Sequence, residues 1–246
     1  MYQIPELNKF PKLLHNISHK EEGNMSFRWG GQVLSNRERF LIKVGVGLEM
    51  CVGASLEHET KVTRVETKHR GMGMRDPETA VPGDAFLTNA PGTFLFLLTG
   101  DCLPIAVYDP MEKVVGLVHA SRKNSPLGLM RKVIDRMEEW YGSKAKNIVV
   151  SIGPGVRKES YIFPPVMKEE LMPIWKKFLI KIDEEKFALD VVGMNSAELR
   201  NSGVREENIH VAPQDTIADP AFFSHYRSRL TGEAEGRMAT VLGIKS

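Results

Sequence analysis

Short apolar runs, rather than long amphipathic periods, dominate the middle of this chain. Thr93 to Leu98 (TFLFLL), Leu103 to Tyr108 and Val114 to Val118 are brief and bounded by turn chemistry, and each predicts a strand. The first is apolar on both faces and should be buried on both. Asp109-Pro110-Met111-Glu112-Lys113 is a turn, because Pro110 cannot continue a ladder. So tight a link predicts antiparallel pairing of the strands it joins. That pairing brings Cys102, at the start of one strand, beside His119, at the end of the other. A thiol and an imidazole would then share one rim of a sheet, as a small buried Cys beside a hydrogen-bonded His, as metal ligands, or as nucleophile and base.

Further strands are predicted at Lys61 to Glu66, which alternates, at Gly83 to Thr88, and at Asn147 to Ile152, Asn208 to Ala212 and Met238 to Ile244. Helical spacing is confined to fewer stretches. One helix opens at Ser35 as N-cap, carries Phe40, Leu41 and Val44 on one face, and ends at Gly45 and Gly47. A second runs to about Tyr141 with Leu127, Met130, Val133, Ile134 and Met137 in register and Gly142 as its stop. A third is expected over Pro164 to Ile182, broken at Pro173, and a fourth over Ala188 to Ser202 before Gly203. Residues 1–31 read as an extended lead-in. The order of elements is not an alternation of βαβ units, so the expectation is one α/β (α+β) domain over 1–246, with mixed β-sheets covered by helices.

Composition narrows the function classes. The chain has 246 residues, 42% hydrophobic and 26% charged, with a formal net charge of +2. That suits an ordinary globular protein, and no Lys/Arg run points to nucleic acid. No stretch reads as a membrane span or as a signal peptide. Two cysteines, Cys51 and Cys102, cannot make a disulfide framework, which favours a cytoplasmic location; Cys51 has no evident partner and reads as buried and inert.

The motifs Asp84 to Thr88, Thr99-Gly100-Asp101-Cys102-Leu103-Pro104 and His119-Ala120 resemble the laccase-domain family, also called the polyphenol oxidase or YfiH-like family. Weaker agreement follows at Ile152-Gly153-Pro154, Asp190, Asn195, Phe222-Phe223-Ser224 and Gly236-Arg237-Met238. The resemblance implies a mixed sandwich of sheets and helices, and one zinc ion per chain held by His69, Cys102 and His119. Two imidazoles and a thiolate suit Zn²⁺ and leave a fourth position open. Copper is not expected, since none of the seven histidines stands in a His-X-His pair. The resemblance also implies a small-molecule substrate: a purine nucleoside with phosphate, cleaved by phosphorolysis, with some adenosine deamination. Either a monomer or a homodimer is compatible with it.

Catalytic candidates on this basis are Cys102, His119, Lys123, Arg122 and Asp101, with Asn36, Arg37, Arg227 and Arg237 as substrate-binding candidates. Asp101 is expected to face away from Cys102 on a regular strand, which suits a capping role equally well. Phe222, Phe223 and Tyr226 could stack on a base, with core packing the stronger alternative. Three departures stand out. The family's His-Ala-Gly-Trp-Arg-Gly is here His119-Ala120-Ser121-Arg122-Lys123-Asn124, its Gln-Val-His-Gly is matched to Thr67-Lys68-His69-Arg70, and its later Cys-Thr pair is replaced by Ala212-Pro213-Gln214-Asp215. A non-enzymatic zinc- or ligand-binding member, or a Cys or zinc hydrolase acting on cell-wall precursors, are the competing functional expectations.

Overall fold

The computed structural model describes residues 1–163 and 175–246. In chain order the strands are β1 (Leu13–Ile17), β2 (Cys51–Ser55), β3 (Val62–Arg64), β4 (Val81–Pro82), β5 (Ala85–Thr88), β6 (Phe94–Thr99) and β7 (Leu103–Asp109). They continue with β8 (Val114–Ala120), β9 (Val149–Ile152), β10 (Ile162–Phe163), β11 (Leu179–Lys181), β12 (Phe187–Leu189), β13 (Ile209–Val211) and β14 (Met238–Ile244). The helices are α1 (Val33–Val44), α2 (Leu129–Tyr141), α3 (Val191–Asn201) and α4 (His225–Thr231).

Period-two alternation in the central strands sorts these elements into layers. In β6, Leu95 and Leu97 join the core between the sheets, while Phe94 and Phe96 pack with Phe40 and Leu41 of α1. In β7, Ala106 and Tyr108 face that same inter-sheet core, whereas Leu103, Ile105 and Val107 pack with α2 and α3. The result is helix on sheet on sheet on helices. One sheet has the order β1-β14-β6-β2-β4 and the other β13-β9-β7-β8-β5-β3, with a small β10-β12-β11 sheet beside them. Thr93 to Leu97 is thus buried on both faces, as the apolar run predicts, with Leu98 half-buried at its end.

The hairpin at the centre forms as its turn dictates. β7 and β8 pair antiparallel with Pro104 opposite His119, and Asp109 Oδ1 accepts from the Met111 N–H, an Asx turn that starts the reversal. His119 shares its face of β8 with Val115 and Leu117, so it points to the inter-sheet side at the sheet's rim.

Several sequence expectations change. Residues 1–31 are no lead-in: β1 is buried throughout and pairs along its length with β14. Helix α1 begins at Val33 rather than Ser35, whose hydroxyl accepts from Arg39 instead, while left-handed Gly45 (φ 84°) closes it as expected. Leu127 precedes α2 in a short turn and is 46% exposed. The helix expected over Pro164 to Ile182 lies outside the described residues for 164–174. Its remainder is a 3₁₀ turn at Trp175–Lys177 and strand β11, paired with β12. An Asp183-led turn, with Asp183 Oδ1 accepting from the Glu185 N–H, makes that hairpin. Consequently Ala188 and Leu189 are strand, and α3 starts only after Asp190, whose carboxylate caps it through the Gly193 N–H.

Candidate metal centre at the sheet rim

Antiparallel register sets two of the site's side chains. Cys102 immediately precedes β7 and His119 is the penultimate residue of β8, so both lie at one end of the hairpin. The third is His58, not His69. Ligand atoms of His58, Cys102 and His119 all lie within 4.8 Å of one another. The two imidazole rings meet edge to face, with centroids 4.9 Å apart.

Strand direction explains why His69 is excluded. β3 runs parallel to β5, with Val62 opposite Ala85 and Arg64 opposite Leu87, and β5 pairs antiparallel with β8, Ala85 opposite Val118. The start of β3 is therefore level with His119, and its end is roughly 10 Å away at ~3.3 Å per residue. His58 precedes β3; His69 follows it. His69 lies in a 3₁₀ turn where its Nδ1 accepts from the Glu66 N–H at 2.9 Å. The next residues tie to the other sheet, with the Gly71 N–H donating to the Cys51 carbonyl. The sequence signal for His58 was its place before the alternating strand, but it sits in a poorly patterned polar stretch.

Asp84 organises both histidines. Its Oδ1 is 2.8 Å from His119 Nδ1, which leaves Nε2 for Cys102. Its Oδ2 accepts from the N–H groups of Glu57 (3.2 Å) and Glu59 (2.9 Å), the residues flanking His58. His58 itself has φ 59°, and Asp101 φ 111°. These are two of the three non-glycine residues with positive φ among the described residues, and both belong to the site. Burial opposes charge on Asp84, yet the His119 and Glu59 hydrogen bonds hold its carboxyl below the usual range. Burial likewise opposes a His119 imidazolium, but the facing Cys102 sulfur and Asp84 raise its pKa to about 9. Burial also pushes the Cys102 thiol up; His119, with a further hydrogen bond from His58, outweighs it and brings the thiol down to about 6.

The remaining candidates separate by what their side chains already hold. Asp101 Oδ1 accepts from Thr216 Oγ1 (2.8 Å) and Oδ2 from the Tyr226 N–H (2.7 Å), so it anchors the start of α4. Arg37 is 3% exposed; it donates to the carbonyls of Met25, Gly73 and Met74 and stacks on Phe27 and Phe96. Asn36 bridges the Asn24 carbonyl and Arg39. Arg227 donates to Glu233 and to the carbonyls of Thr216, Ile217, Asp219 and Phe222. These three hold loops together. Phe222 and Phe223 are buried in the inter-sheet core.

Arg237 and Arg122 are different. Arg237 lies against Gly100, where a Cβ would come within 2.9 Å of its Cδ, and within electrostatic reach of Cys102. Its guanidinium stacks 3.8 Å from the Trp29 ring centroid and is paired with Glu235. Arg122 rests over the Phe163 ring. Lys123 is exposed. Their loop is fixed by Asn124, which accepts from the Ser121 N–H at 2.7 Å and donates to the His119 carbonyl at 3.0 Å.

The donor set, a thiol held toward thiolate and two imidazoles with one oriented by a buried carboxylate, has the chemistry of a three-ligand metal centre. A layered sandwich of mixed sheets carrying such a centre at its rim defines the class. The chain belongs to the multi-copper polyphenol oxidoreductase laccase family, whose model matches residues 19–245. It is 29% identical over 222 residues to the purine nucleoside phosphorylase YlmD of Bacillus subtilis, covering 87% of this chain and 77% of that one. It is 29% identical over 179 residues to human purine nucleoside phosphorylase LACC1, covering 69% of this chain and 41% of that protein. Among solved structures, Bacillus licheniformis YfiH superposes with a TM-score of 0.89 at 26% identity, covering 98% of this chain and 95% of that one. YlmD from Geobacillus stearothermophilus gives 0.87 at 27% identity, covering 96% and 93%.

Proposed function

We propose that this chain is a zinc-dependent purine nucleoside phosphorylase, with His58, Cys102 and His119 as the ligands. The observation that carries the reading is the convergence of these three side chains around one buried carboxylate, Asp84, which bonds to His119 and to the N–H groups on either side of His58. Relatives named as purine nucleoside phosphorylases support the substrate class. Thiolate and imidazole donors suit zinc better than a hard cation such as magnesium. The absence of His-X-His pairs argues against the several coppers that the family's name invokes.

Bound here, zinc would supply Lewis-acid polarisation of a substrate oxygen. The protein's own residues do the rest. Phosphorolysis forms a bond from a phosphate oxygen to C1′ and breaks the glycosidic C–N bond, with positive charge on the ribose at the transition state. Arg237 lies within electrostatic reach of Cys102 and Arg122 stands over Phe163 in the loop that follows His119, two cations that would attract a phosphate anion to the rim. Trp29 fixes one guanidinium and Phe163 the other. Asp84 holds His119 in one tautomer, and Asp101 anchors α4 against the Cys102 turn. Arg122 stands in a loop that lacks the family's glycines, so orientation of the anion should suffer more than its attraction.

The test is to incubate the purified protein with adenosine, inosine, guanosine or methylthioadenosine, with and without phosphate, and to chromatograph the products. Free base with ribose 1-phosphate (or its methylthio analogue), only when phosphate is present, is the expected result; inosine from adenosine would add deamination. No base release by zinc-loaded protein across these nucleosides contradicts the proposal and favours a binding protein. One observation favours a second reading: Cys102, His119 and Asp84 stand in the order nucleophile, base and orienting acid. A thiol hydrolase of that kind would keep its turnover in the presence of a chelator, whereas the zinc centre would lose it.

A further inference from the structure

Most polar groups around the rim are committed to protein partners; among the described residues the Tyr161 hydroxyl is not. Asp101, Arg227 and Arg237 all bond to neighbouring groups. Tyr226 donates its hydroxyl to the Ile162 carbonyl. Tyr161 Oη, by contrast, has no hydrogen-bond partner among the described residues. Its ring is fixed, 4.2 Å from the Phe163 centroid and 5.7 Å from that of Tyr226, both edge-on. Its hydroxyl lies within electrostatic reach of Arg122, Cys102 and Asp101. Arg122 likewise makes no ion pair among the described residues; its guanidinium is placed by the Phe163 ring at 5.8 Å. Among the described residues, one aromatic cluster thus presents an unpartnered hydroxyl and an unpaired guanidinium together, the hydroxyl within electrostatic reach of Cys102.

We propose that Tyr161 is a substrate-binding residue, its hydroxyl donating with Arg122 to an oxyanion of phosphate at the metal rim. The proposal rests on the phosphorylase reading for the identity of the anion. A tetrahedral dianion needs cations beside the negative sulfur of Cys102 and several donors to fix its orientation. Arg122 supplies charge and a planar pair of N–H groups. Tyr161 adds a neutral donor. Burial raises its pKa against the pull of Arg122, with Cys102 and Asp101 pushing the same way, so it keeps its proton at neutral pH. The role compensates for the departure in the His119 loop: a side-chain donor from β10's approach stands in for backbone that glycines would otherwise bring to the ligand.

The experiment is calorimetric titration of inorganic phosphate into the zinc-loaded protein and its Tyr161→Phe and Arg122→Gln variants, alongside KM values for phosphate and inosine. Tyr161→Phe keeps the ring and so the cluster. It should weaken phosphate binding about 10-fold, the worth of one hydrogen bond to a charged acceptor, and raise the phosphate KM equally while the inosine KM stays within about twofold. Arg122→Gln should weaken phosphate at least as much. Unchanged phosphate affinity in Tyr161→Phe overturns the proposal, as does a rise confined to the inosine KM, which would make Tyr161 a nucleoside contact. Phosphate binding lost in Tyr161→Phe from a wild type that releases no base would uphold the anion site and overturn the phosphorylase reading. Base release with phosphate binding indifferent to Tyr161→Phe would do the reverse.

Discussion

Replacing Asp84 by Asn tests how the site is held. The side chain is fully buried, and both its oxygens accept: one from His119, the other from the N–H groups beside His58. Asn has one acceptor oxygen and one NH₂. If the oxygen faces the Glu57 and Glu59 N–H groups, the NH₂ meets His119 Nδ1 and forces the tautomer in which Nε2 carries the proton. That ring cannot ligate a metal without losing the proton. If the amide turns over, two buried N–H groups are left facing donors. Either way at least one charge-assisted bond, worth about 1.5–3 kcal/mol, is lost, and in the turned orientation a donor is also buried against donors, for a total of roughly 2–4 kcal/mol. Loss of such a supporting carboxylate typically lowers metal affinity by about 10–100-fold. Competition against a chromophoric chelator reads the affinity, and urea unfolding reads the stability. Wild-type zinc affinity in a folded Asp84→Asn protein would refute the reasoning. The Asp84 carboxyl titrates below its unfolded value, so its stabilisation is present above the ordinary Asp range and is lost as pH falls through the depressed value.

Other expectations follow from single residues. His58→Ala should cut turnover by at least about 100-fold, while His69→Ala stays within about threefold; steady-state rates at matched zinc decide, and the opposite ranking would restore His69 to the site. His15, 6% exposed with both ring nitrogens unpaired among the described residues, has its pKa pulled by burial from 6.5 to about 4. The unfolded chain takes up that proton first, so stability is full above pH 6.5 and falls by up to about 3 kcal/mol toward pH 4; urea midpoints of His15→Phe should show a shallower decline over that window, and parallel curves would count against it. Arg37→Met should lower stability by about 2–4 kcal/mol through three abandoned carbonyls while leaving the inosine KM unchanged; a raised KM without destabilisation would return Arg37 to substrate binding.

The central hairpin was legible because its signals are local. Pro110 and Asp109 mark the turn, alternation marks the faces, and antiparallel register then joins Cys102 to His119 with no tertiary information. His58 was not legible by the same means. Its place depends on β3 running parallel to β5, a pairing between segments with no tight turn between them, and choosing His69 put the candidate ligand at the opposite end of that strand from Cys102 and His119. Asp84 belonged to a recognisable motif, but its bond to His119 arises only when β5 and β8 pair, and its bonds to the N–H groups flanking His58 only when the approach to β3 lies beside it. The arginines show the reverse problem: Arg37 and Arg227 look like anion ligands in sequence, and only the fold reveals that backbone carbonyls occupy them. β1 was missed because residues 13–17 are an edge partner for a strand more than two hundred positions later, and nothing nearby predicts that pairing.

The most direct test of the proposed centre is anomalous diffraction from crystals of the zinc-loaded protein, collected on both sides of the zinc absorption edge. The account predicts one peak per chain at the rim, about 2.0–2.1 Å from a nitrogen of each of His58 and His119 and about 2.3 Å from Cys102 Sγ. A peak at His69, a signal at the copper edge in its place, or no peak at this rim would contradict it.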